Sequence, residues 1–161
     1  MAGADTAVSH LSPISVAPAE TIASAVLTVQ TAGEGFFDIT REASRFLEGA
    51  KAADGILFLF LRHTSASLVI QENADPDVQT DLLTALRRVA PDNAGWVHDT
   101  EGPDDMPAHI KAMLNGVCLH VPVSGGRLGL GTWQGIYVAE HRRAPHRREV
   151  VLQFLGSCRK D

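Results

Sequence analysis

Acids, histidines, two arginines and closely spaced glycines crowd into EGPDDMPAHIK (Glu101 to Lys111) and GRLGLGTWQGIYVAEHR (Gly126 to Arg142). A stretch built only to fill a core would use aliphatic residues there, because a buried charge is costly unless it is paired or bound to something. Four histidines, His63, His98, His109 and His141, are candidates for chemistry, and most of them stand beside turns or at the ends of elements. Three imidazoles from separate elements could hold a zinc-like ion, whose catalytic form keeps a fourth position open. No local HExxH spacing supports this, and ordinary hydrogen-bonded histidines are the competing account. His10, His120 and His146 carry no such expectation: the first precedes the folded region, the second alternates opposite an apolar face, and the third lies in an arginine-rich turn.

The acids Glu101, Asp104, Asp105 and Glu140 form a second set. Carboxylates can bind a magnesium ion that bridges phosphates, or act as bases when burial raises their pKa. Asp104 or Asp105 could equally cap a helix. Glu140 follows Ile136 and Val138 on the same strand face, so it must be paired, ligated or at an exposed strand end. In GGRLGLGTWQG the glycines around Arg127 allow close backbone approach and an anion nest, with Arg127 as a phosphate contact; a twisted hairpin would use the same glycines. HTSAS places Ser65 and Ser67 near His63 but lacks a GxSxG elbow, so these hydroxyls read as backbone partners.

The elements that must position these residues follow from periodicity. Residues 1–18, small and polar with two prolines, read as a mobile arm, and residues 19–161 as one domain. ASAVLTVQT (Ala23 to Thr31) alternates as a half-buried strand. Ile39, Ala43, Phe46, Leu47 and Ala50 then make a helical stripe stopping near Asp54-Gly55. ILFLFLRHTSASLVIQ (Ile56 to Gln71) reads as a central strand run through the polar knot Arg62-His63-Thr64-Ser65. A helix follows, with Asp75 as N-cap, Pro76 at its first position and Val78, Leu82, Leu83, Leu86 and Val89 along one face. A shorter helix carries Pro107 in its first turn and ends at Asn115-Gly116; VCLHVPV, QGIYVAEH and REVVLQFLG supply later strands joined by turns. About three helices and six or seven strands without regular alternation predict an α+β domain with a mainly antiparallel sheet, sandwich-like, its second half a meander.

Composition sets outer bounds. At 161 residues, 45% hydrophobic, the chain suits a single core, and a formal charge of −5 argues against nucleic acid as a partner. The longest apolar run, ILFLFL, is far below the roughly 20 residues of a membrane span. The N-terminus lacks the basic and apolar segments of a signal peptide, which makes the cytoplasm the expected compartment. Cys118 and Cys158 have no metal or redox spacing.

HTSASL, ENADPDV, PDN, HDTEGPDDMPAHIK, PVSGGR and GTWQGIYVAEHR together resemble the YjbQ family, a group of small bacterial and archaeal proteins named for a secondary thiamine-phosphate synthase activity. The resemblance runs from about Ala23 to Gly156. It implies an α+β fold, a homotrimer, and a polar pocket near subunit boundaries. It also implies a metal or substrate-binding trio of His63, His98 and His109, with His63, Glu140 and Arg127 as the catalytic groups. Lys111 and Arg127 would carry positive charge for phosphate, with Arg142 beside them, and Trp133 and Gln134 would shape the pocket wall; His141 ranks below these. The implied reaction joins a hydroxymethylpyrimidine diphosphate to a thiazole phosphate and releases pyrophosphate. It would draw on a divalent metal, zinc or magnesium, and on no organic cofactor. Two other readings stay open: a metal-dependent hydrolase using a water held by the three histidines with Glu140 as base, and a non-catalytic protein that binds a small phosphorylated metabolite.

Overall fold

The computed structural model describes residues 11–159. Of the expected arm, residues 1–10 lie outside the described residues, and 11–20 run exposed without regular secondary structure. Eight strands and three helices follow: Thr21–Thr31 (β1), Gly35–Asp38 (β2), Thr40–Gly49 (α1), Ala52–Leu61 (β3), Ala66–Glu72 (β4), Pro76–Val89 (α2), Asp105–Asn115 (α3), Cys118–Ser124 (β5), Arg127–Leu128 (β6), Gln134–Glu140 (β7) and His146–Cys158 (β8). The strands form a five-stranded sheet in the order β1-β8-β3-β5-β6 and a three-stranded sheet in the order β2-β7-β4, and every pairing is antiparallel. This is the expected α+β class. No described helix is long and apolar enough to cross a membrane.

One core joins the two sheets. Leu57, Leu59 and Leu61 from β3, Val121 and Val123 from β5, and Val150, Leu152 and Phe154 from β8 meet Ala66, Leu68, Ile136 and Val138 of the smaller sheet, with Ala43 and Leu47 of α1. Each large apolar side chain buried there contributes about 1.5–3 kcal/mol relative to exposure. Where β3 crosses β8, Gly55 and Gly156 face each other so closely that a Cβ on Gly156 would lie 2.2 Å from the Asp54 carbonyl oxygen, so only glycine fits.

Several local expectations need correction. The run from Ile56 to Gln71 is two strands in different sheets, because the polar knot Arg62–Ser65 carries the chain from one layer to the other. Both halves are apolar since both face the common core. The first helix ends at Gly49, not near Gly55: Ala50 N–H closes on the Phe46 carbonyl, Lys51 takes φ 51°, and β3 begins at Ala52. The second half is not a meander. Only β5 and β6 form a hairpin; β7 crosses to the smaller sheet and β8 inserts between β1 and β3. The α2 helix matches expectation, with Asp75 accepting from the Asp77 amide at 2.9 Å and Pro76 in the first turn.

Candidate functional site

The α3 helix and the segment before it build the densest polar centre. Asp105 and His109 stand four residues apart, so one helical face carries both. His98 arrives from the preceding segment, which is pinned by a hydrogen bond from Trp96 Nε1 to the Pro91 carbonyl at 2.9 Å and by the Arg143–Asp92 ion pair. His98 Nε2 lies 2.8 Å and His109 Nε2 3.4 Å from the same Asp105 oxygen, Oδ2, and the two imidazole rings are 5.6 Å apart. One ligand atom from each of the three residues lies within 4.8 Å of the others. His109 Nδ1 donates to the Thr64 carbonyl at 2.9 Å, which leaves Nε2 with its lone pair. Asp105 is buried, His109 partly exposed and His98 exposed, so the cluster opens to solvent on one side.

Of the three histidines expected together, His98 and His109 converge and His63 stands apart from that cluster. His63 Nε2 accepts the Glu149 amide at 2.9 Å, and burial together with the nearby Arg148 charge lowers its pKa. The neutral ring therefore carries its proton on Nδ1. His63 and His109 nonetheless line one groove of about 550 Å³ between β3 and α3, with Arg62 and Thr64 at its polar side and Phe60, Met113 and Val117 at its apolar side.

The other expected site residues are spread more widely. Glu140 is fully buried and its carboxylate is saturated: it accepts from Arg148 Nε and NH2, each at 2.6 Å, from the Arg142 amide at 2.9 Å and from Thr31 Oγ1 at 2.8 Å. Burial pushes its pKa up, but these donors and the Arg148 charge outweigh it, and the carboxyl lies below its ordinary range. That is the arrangement of a structural ion pair. Lys111 is buried against Glu34 at 2.9 Å, and Glu34 also pairs with Arg87 of α2. Arg142 is engaged with Asp105, Asp104 and the Glu101 carbonyl. Asp104 stands at the N-cap position without capping through its side chain, because Arg142 and the Arg143 amide claim it.

Trp133 and Gln134 line a separate groove with Glu72 and Ala74, and Arg127 lies in another with Thr40, Ser44 and Glu48. Gln134 pairs with Glu72 at one end of β4 while Glu140 pairs with Ala66 at the other. At about 3.3 Å per residue, the two ends of this seven-residue strand are about 20 Å apart. The glycine-and-arginine motif and the histidine motif therefore occupy opposite ends of the small sheet in one chain.

Asp105 stood among the candidate acids, but its partnership with His109, signalled by their four-residue spacing, was not drawn. Arg148 and the buried contact of Ser67 Oγ with His141 Nε2, 2.6 Å, carry no local signal. Burial and the Lys111 charge depress the His141 pKa to about 4, so this ring is neutral.

Two antiparallel sheets around one core, with a His-Asp-His cluster at the head of α3, define a small α+β domain with a candidate metal centre. The chain belongs to the YjbQ-like UPF0047 family, whose model matches residues 25–157. It is 45% identical over 132 residues to a UPF0047 protein of Synechocystis, covering 81% of this chain and 90% of that one. It is also 45% identical over 131 residues to the UPF0047 protein YjbQ of Salmonella typhimurium, covering 81% and 95%. The crystal structure of a YjbQ/UPF0047 family protein from Clostridium acetobutylicum superposes with a TM-score of 0.76 at 37% identity, covering 81% of this chain and 98% of that one.

Proposed function

We propose that this protein is a metal-dependent enzyme acting on a small phosphorylated metabolite, with thiamine phosphate formation among its reactions. The observation that carries the reading is the convergence of His98 Nε2, His109 Nε2 and Asp105 Oδ2 within 4.8 Å of one another. Two imidazoles and a carboxylate suit a zinc-like ion better than a magnesium ion, which prefers oxygen donors. A divalent ion held there would supply positive charge to offset that developing on a phosphate or pyrophosphate leaving group. Thr64 fixes the His109 tautomer through its carbonyl, and Asp105 is held from behind by Arg142. The groove beside His109 accommodates the body of the substrate, His63 offers an Nδ1–H donor, and Arg62 sets a cation at the rim. The thiamine-phosphate assignment itself rests on the family resemblance.

Hydrolysis of a phosphorylated metabolite is the second reading. It is favoured by the engagement of Lys111 and Arg142 with carboxylates, which leaves few cations to hold two phosphorylated reactants at once. Either reaction is taken to run in a homotrimer. Ile22, Leu155 and Ile56, in register across β1, β8 and β3, and Phe60 beyond them leave an apolar outer sheet face exposed, which supports association of copies. Thiamine phosphate release from the two precursors is assayed with untagged protein reconstituted with zinc or magnesium, beside His109→Ala and Asp105→Asn. The expected result is product from the parent protein and its loss in both variants. Equal product from all three refutes the site, and pyrophosphate release without thiamine phosphate selects the hydrolytic reading. Light scattering on the same preparation reports the assembly, and a monomer would refute the trimer.

A further inference from the structure

Arg142 makes more specific contacts around the candidate centre than any role as a phosphate ligand would need. Its guanidinium meets Asp105 Oδ1 through NH1, Asp104 Oδ2 through Nε at 3.2 Å and the Glu101 carbonyl through NH2 at 2.7 Å. Its own backbone amide donates to Glu140 Oε1 at 2.9 Å, and Glu140 is locked by Arg148. The side chain is therefore anchored from the core and reaches outward along one direction. Asp105 then divides its carboxylate: Oδ1 goes to Arg142, and Oδ2 faces His98 and His109. Three of the five guanidinium N–H donors of Arg142 are thus committed to the protein, and its side chain is only 11% exposed.

Resting on the metal-centre reading above, we infer that Arg142 is a positioning residue that makes Asp105 a one-oxygen ligand and holds the His98-bearing segment in reach of the ion. The physical reason is geometric. A planar guanidinium holds one carboxylate oxygen in a fixed direction, so the free oxygen cannot rotate away and the occupied one cannot chelate. By gripping the Glu101 carbonyl and the Asp104 carboxylate as well, the same group fixes the chain between His98 and the first turn of α3. An ammonium on a flexible stem cannot reproduce three divergent contacts, so Arg142→Lys keeps the charge and loses the geometry.

The test is metal binding, read by calorimetry with zinc and by the visible spectrum with cobalt(II), on the full-length protein. Parent protein is expected to bind one ion per chain, and His98→Ala and His109→Ala to abolish binding. Arg142→Lys is expected to weaken zinc binding by roughly 10–100-fold, the range for loss of a group that orients a metal ligand. Its cobalt spectrum is expected to fade toward that of a higher-coordinate ion as Asp105 gains freedom to use both oxygens. Affinity and spectrum equal to the parent overturn the inference while leaving the site intact; absence of binding by the parent overturns the site itself. Should Arg142→Lys fail to keep the parent's circular dichroism, Asp104→Ala carries the test. It removes one anchor of Arg142 and leaves all three ligands, so a several-fold weaker affinity supports the role and an unchanged one overturns it.

Discussion

Replacing Glu140 by Met separates a structural ion pair from a catalytic base. The substitution keeps side-chain volume and removes four acceptor contacts, stranding the Arg148 guanidinium, which is 4% exposed, with only Ser65 Oγ at 3.1 Å and the Ser65 carbonyl at 3.5 Å. Breaking a buried pair from one side costs about 3–5 kcal/mol. The orphaned Arg142 amide adds about 1–3 kcal/mol, whereas Thr31 can turn its hydroxyl fully to the His146 carbonyl at 3.1 Å. A total of about 4 kcal/mol or more is a large part of the roughly 5–15 kcal/mol that stabilises a domain. At about 2–4 °C per kcal/mol for a chain of this size, the melting temperature should drop by roughly 10–15 °C. Urea titration at pH 7 followed by circular dichroism measures the loss. The double variant Glu140→Met/Arg148→Met should regain most of it, because no charge is then left buried. A Glu140→Met variant within about 0.5 kcal/mol of the parent, the range of an indifferent surface change, or a double variant no more stable than the single, would show that Glu140 and Arg148 do not form a stabilising pair.

Two further outcomes follow from local geometry. His141, with an ordinary pKa of 6.5 lowered to about 4 by burial and Lys111, binds its proton more readily unfolded than folded, so it favours folding fully above pH 6.5 and loses that contribution as pH falls toward 4. Urea stability should therefore fall by about 2 kcal/mol between pH 7 and pH 5. The fall should shrink in His141→Asn, with His63, shifted in the same direction, supplying the remainder; an unchanged profile would exclude His141 as its source. Asp75→Ala should cost about 1 kcal/mol, seen first as faster hydrogen exchange in α2, none of whose residues is buried; exchange at the parent rate would show that the cap is idle.

How much of this was legible depended on how local each cause is. The α2 helix was readable because its cap, its proline and its apolar face all lie within one continuous stretch. The split of Ile56–Gln71 was not, since β3 and β4 are apolar for the same reason and differ only in which sheet they join. For Glu140 the sequence allowed pairing, ligation or an exposed strand end, and pairing wins because the layout of β7 and β8 brings in Arg148 from beyond a turn. For the site, the Asp105–His109 spacing was present in the helix pattern, while the exclusion of His63 required the Glu149 amide of another strand.

By itself the sequence determined the class of fold, the α2 helix and the set of residues able to do chemistry, because composition and periodicity act over short distances. Only the tertiary structure decided which of those residues meet. It brought His98 to Asp105 and His109, committed Lys111, Glu140 and Arg142 to ion pairs, and set Arg127 and Trp133 at the far end of the small sheet. The physical reason is that a charge taken out of water must find its opposite within a few ångströms, and the packing of two sheets and three helices fixes which opposite is there.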